Sequence, residues 1–214
     1  VTREVISMAE DRARTTHVIT FLALIATGLL FQGGIVWAQD VSKDIVGAAR
    51  QQVGVTTTYD PSYIGIAFPN GDLSEERGVC TDVIIRALRI SHNVDLQERV
   101  NADMNKAFNQ YPKIWGHSVT DRNIDHRRVP NLQVYLARIG AELPAPSNST
   151  EFNAGDIITS ILPGNLPHIG IVSDTRGESG NLMIIHNIGS GTKEEDRLFD
   201  FPMSGHYRPS RARW

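Results

Sequence analysis

One cysteine, Cys80, stands among the 214 residues. A lone thiol is either a small buried hydrophobe or a reactive group. Position favours the second. Cys80 follows Gly78-Val79 and opens a stretch in which Val83, Ile84, Ala87, Leu88 and Ile90 recur at helical spacing. The first amides of a helix are unpaired and carry partial positive charge. They stabilise a thiolate, which lowers its pKa, and they can hold the oxyanion of a tetrahedral intermediate. The expected chemistry is nucleophilic attack on an acyl carbon.

Such a thiol needs an imidazole in reach, oriented by a third group. Of the seven histidines, His168 opens the run His168-Ile169-Gly170-Ile171-Val172, just after Pro167. Gly170 leaves room there for a neighbour to approach closely. His186 ends the next apolar run, from Leu182. If those runs pair as a hairpin, His168 and His186 lie side by side at one end of a sheet. Zinc is the other chemistry open to Cys80, His168 and His186. No His-x-x-x-His or Cys-x-x-Cys pair supports it, so neither a metal nor another cofactor is expected.

These groups must be positioned by local elements. A first helix is expected over residues 40–53, with Gly54 as its stop. Others are expected over residues 80–90, over 96–110 with Asp95 as cap, and over 129–139 with Pro130 in the first turn and Gly140 after the end. Residues 143–153 read as a linker. Residues 156–162, 168–173 and 182–188 are short, β-branched and bounded by turn formers, so they read as strands. Tyr207 and Arg208 can close the sheet. The order implies an α+β domain, with N-terminal helices packed on a small antiparallel sheet.

The apolar fraction of 41% and charged fraction of 21% suit a globular chain. A net charge of −3 gives no reason to expect nucleic acid. Residues 1–38 have the three-part pattern of a signal peptide: Arg12 and Arg14, the apolar run from Val18 to Phe31, and Val36-Trp37-Ala38 as cleavage site. Uncleaved, the segment would anchor the chain to a membrane. The expectation is export to the periplasm or beyond and a monomeric domain over residues 39–214. Export normally brings disulfides, which one cysteine cannot form.

Taken together, the cysteine at a helix start, the Gly155-Asp156-Ile157-Ile158 strand, the His-Ile-Gly-Ile-Val strand and the Ile-Ile-His strand resemble the papain-like NlpC/P60 cell-wall peptidases. That resemblance implies Cys80 as nucleophile, His168 as general base and His186 as the group that orients it. It also implies hydrolysis of an amide in peptidoglycan stem peptides. His206 and Asn187 are rivals for the third position, although Asn187 points to the other face from His186. Tyr59 could line the cleft. Asp82 either complements the helix dipole or meets a substrate amine. Asp125 and Arg127, in Asp125-His126-Arg127-Arg128, form either a salt-bridged knot or a carboxylate clamp, since Arg forks suit carboxylates. The Val79-Cys80-Thr81 triplet and the long insertion before His168 depart from ordinary NlpC/P60 domains. A closer likeness is to the DUF1287 family of exported bacterial proteins. It rests on PNGD (69–72), GVCTDV (78–83), DLQ (95–97), NIDHRRVPNL (123–132), HIGIVSD (168–174), HNIG (186–189) and GHYR (205–208). A non-catalytic wall-binding or envelope-assembly module on the same shell is the alternative function.

Overall fold

Local signals set the helices. A computed structural model describes residues 45–208, apart from 145 and 147 and the side chain of Ser149. The expected leader, residues 1–38, and the start of the expected first helix lie outside the described residues. Within them, α1 (Ile45–Arg50) buries Ile45, Val46, Ala48 and Ala49. Helix α2 (Cys80–His92) begins where Asp82 accepts the Val79 N–H at 2.7 Å, the returning half of a capping box. It ends at Asn93 in the left-handed region, φ 55°, whose N–H bonds back to Arg89 at 3.1 Å. Helix α3 (Leu96–Ala107) is capped as expected: Asp95 accepts from the Gln97 amide at 3.1 Å. A 3₁₀ turn, Phe108–Gln110, extends it. Helix α4 (Val129–Arg138) has Pro130 in its first turn and Gly140, φ 71°, beyond its end.

Two residue pairs, β1 (Thr58–Tyr59) and β2 (Arg77–Gly78), lie parallel and lead the chain into α2. The main sheet has six strands: β3 (Glu142–Leu143), β4 (Ile157–Leu162), β5 (Leu166–Arg176), β6 (Leu182–Asn187), β7 (Thr192–Glu195) and β8 (Met203–Tyr207). Their order is β3-β8-β4-β5-β6-β7, every pairing antiparallel. The class is α+β, as expected. The helices are not simply N-terminal, because β1 and β2 precede α2 and a 3₁₀ turn, Asp125–Arg127, precedes α4. No helix among the described residues is long and apolar enough to cross a membrane.

The run from His168 to Ser173 is buried at every position, which marks a strand covered on both faces. Ile157, Ile169, Ile171, Ile185 and Tyr207 face the helices and pack with Val83, Ile84, Leu88 and Leu132. Each such side chain, once buried, contributes about 1.5–3 kcal/mol. Ile158, Val172 and Ile184 fill the opposite face, under Phe152 and Leu198. Cys80 belongs to the helical core.

Candidate active site

The thiol sits where the sequence places it, on the first residue of α2, and it is only 5% exposed. It lines a groove of about 290 Å³ with Tyr59, Val79, Trp115, Arg128, Pro130 and Pro167. Its electrostatics differ from the expectation. Burial pushes the Cys80 thiol up to about 12; the Ile169 amide and the amides of Thr81 and Cys80 itself pull the other way, and Asp82 adds to the rise. The helix start acts in the expected direction but loses to desolvation. At neutral pH the resting group is therefore a thiol.

The two histidines meet. His168 Nε2 stands 2.8 Å from His186 Nδ1, and the rings are edge-on with centroids 5.0 Å apart. They share the face of Gly170 and Ile184: a Cβ on Gly170 would fall 2.6 Å from Ile184 Cδ1 and 3.1 Å from His186 Cβ. The relay continues, because His186 Nε2 lies 3.0 Å from Glu195 Oε2 on β7. Burial lowers His168 to about 3, with His186 adding to the drop. Burial also lowers His186, against the pull of Glu195. Both imidazoles are neutral at pH 7.

Among the described residues, no hydrogen bond links the Cys80 sulfur to His168 or His186. The imidazoles share the sheet face of Val172 and Ile184, whereas the sulfur approaches β5 from the helical side, beside Ile169. The two groups converge on one corner of β5 rather than facing each other. The register of β5 with β6 stops at Ile171↔Ile185 toward this end, and the Asn187 amide reaches from there to the Gly78 carbonyl at 3.1 Å. Asn187 thus secures the entry to α2. His168 Nδ1 makes no hydrogen bond to another described residue, and the residue is buried.

The other candidates take structural positions. His206 pairs with Asp156 at 2.7 Å, and Arg208 clamps the same carboxylate at 2.6 and 2.8 Å. Asp82 is buried against Arg127, which grips it through Nε and Nη2 at 3.0 Å each. Arg127 also donates to the carbonyls of Asp60 at 3.2 Å and Ser62 at 3.3 Å, so four of its five donors are engaged. It borders the groove, but its fork is occupied. Asp125 lies outside the groove lining, bonded to the Asp121 amide at 2.6 Å and to Arg128 at 3.0 Å. Arg128 stacks over Trp115 at 4.1 Å. Tyr59 lines the groove, its phenol pushed up to about 12 by burial and by the nearby Cys80. Sequence reasoning missed Trp115 and Glu195. Alternation of Thr192 and Glu194 against Lys193 and Glu195 was the only available signal for β7, and no apolar face reinforces it.

Fold and site together define an α+β domain with a thiol on the first residue of a helix and a buried histidine–carboxylate relay on the sheet. The chain belongs to a family described as a domain of unknown function, DUF1287, whose model matches residues 46–209. It is 50% identical over 164 residues to "Uncharacterized protein YijF" of Escherichia coli (strain K12), an alignment covering 77% of this chain and 80% of that one.

Proposed function

We propose that this protein is an exported cysteine hydrolase of papain-like, NlpC/P60 type that cleaves an amide bond in peptidoglycan stem peptides. The observation that carries the reading is the relay His168–His186–Glu195, which starts one residue before Ile169, whose amide meets the Cys80 sulfur. Two neutral imidazoles buried in series against a carboxylate cost desolvation, which a purely structural role does not require.

Because the resting pair is neutral, the reaction starts from a thiol and not from a thiolate–imidazolium pair. The mechanism requires His168 Nδ1 to close on the sulfur when substrate binds, since the resting protein shows no hydrogen bond between the two. Nδ1 takes the thiol proton as the sulfur–carbon bond forms. Amides at the start of α2 meet the oxyanion. Collapse breaks the carbon–nitrogen bond, and the leaving amine takes the proton from Nδ1. Water then attacks the thioester and passes a proton to His168; collapse breaks the carbon–sulfur bond, frees the carboxylic acid, and the sulfur takes the proton back from His168.

The test is digestion of purified sacculi by the full chain, with fragments identified by mass. Wild type should release peptides, and Cys80→Ala should release none while keeping the wild-type circular dichroism. Equal release by both proteins refutes the reading. Retained binding of both proteins to sacculi, with no release by either, supports a wall-binding module instead, which the high thiol pKa also favours.

A further inference from the structure

We infer that Glu195 is a positioning residue that fixes the tautomers of both histidines and so makes His168 Nδ1 a proton acceptor. The inference rests on the proposed hydrolase reading for its purpose, but not for its geometry.

The argument runs inward from the carboxylate. Glu195 Oε2, 3.0 Å from His186 Nε2, has only lone pairs to offer. The proton of the neutral His186 ring therefore sits on Nε2, and His186 Nδ1 is left as an acceptor. His168 Nε2, 2.8 Å from that atom, must donate. A neutral imidazole has one N–H, so His168 Nδ1 carries a bare lone pair. One carboxylate on an edge strand thereby sets the proton on a ring two residues removed from it. Without Glu195, either ring could reverse, and the reversed relay would put a proton on His168 Nδ1, which could then no longer accept one. Lys193, directly opposite His186 in the register, has no lone pair when charged and cannot replace the acceptor.

Glu195 lies on β7, the last strand of the sheet. It stands opposite Ile184 and on the same face as His186, the diagonal neighbour on β6.

The test is nitrogen NMR of the full chain labelled at histidine, at neutral pH. In the wild type, Nδ1 of both His168 and His186 should resonate as unprotonated nitrogens and both Nε2 as protonated ones. Glu195→Leu should convert both rings to mixed tautomers. Glu195→Gln, whose amide oxygen can accept the same hydrogen bond, should restore much of the wild-type pattern. On sacculi, Glu195→Leu should lower kcat by about 10- to 100-fold with KM little changed, the scale on which outer-shell partners of a functional histidine act. A protonated His168 Nδ1 in the wild type, or a Glu195→Leu spectrum identical to it, overturns the inference. The expected tautomers in a protein that releases nothing from sacculi would instead leave the positioning intact and refute the hydrolase reading. A Glu195→Leu protein that fails to fold would leave the wild-type and Glu195→Gln spectra to decide.

Discussion

The buried neutral histidines make the domain sensitive to mild acid, and His168 supplies a defined share. Its folded pKa is lowered to about 3, whereas in the unfolded chain it is about 6.5. Between those values the unfolded state binds a proton that the folded state does not, so stability falls as pH falls. At pH 5 the gap is about 1.5 units below the unfolded value, which corresponds to about 2 kcal/mol lost from this one residue. His126, lowered to about 4 chiefly by burial, adds a similar loss, and His186 shifts in the same direction. Carboxylates such as Asp103 and Glu194, held below their usual range by Arg138 and Arg50 respectively, lose their contribution only at lower pH. In the window from pH 7 to 5 the imidazoles dominate, while Asp125, raised chiefly by burial, acts in the opposite direction. The assay is urea unfolding of wild type and His168→Gln at both pH values. Glutamine can still donate to His186 Nδ1 but does not titrate. The wild type should lose about 4 kcal/mol between pH 7 and 5, and His168→Gln about 2 kcal/mol less than that. Equal pH dependence in the two proteins would show that His168 is not buried as a neutral ring.

Two further outcomes follow from the groove. With its thiol raised to about 12, Cys80 should alkylate slowly with iodoacetamide at pH 7, and the rate should climb steadily toward high pH. A rapid, pH-independent reaction near neutrality would mean a preformed thiolate and would contradict the neutral resting pair. Arg127→Met leaves Asp82 buried without its fork and should cost about 3–5 kcal/mol, read as a large drop in melting temperature. If the variant keeps its stability while binding of wall peptides weakens, Arg127 is a substrate clamp and the structural assignment fails.

Much of the scaffold was legible in residue order because the signals are local. The start of α2 at Cys80, the Asp95 cap, Pro130 in the first turn of α4 and the stop at Gly140 are short-range features that no distant contact needed to enforce. The strands β4, β5 and β6 followed from β-branched runs between turn formers, and Gly170 announced the close approach of a neighbour, which proved to be Ile184 and His186. The 3₁₀ turns and the two-residue strands β1 and β2 escaped, since nothing in their composition separates them from loops.

What the chain's order determined was therefore the elements and the residue types near their ends, including a thiol at a helix start and two histidines close to strand ends. Tertiary structure decided which groups those side chains meet. Arg127 finds Asp82 across 45 positions of chain, and Glu195 reaches His186 only because β7 pairs with β6. The thiol's protonation likewise depends on how completely neighbouring elements exclude water from it. Helix and strand propensity act over a few residues, whereas desolvation and ion pairing depend on distances that exist only after the sheet and helices have packed.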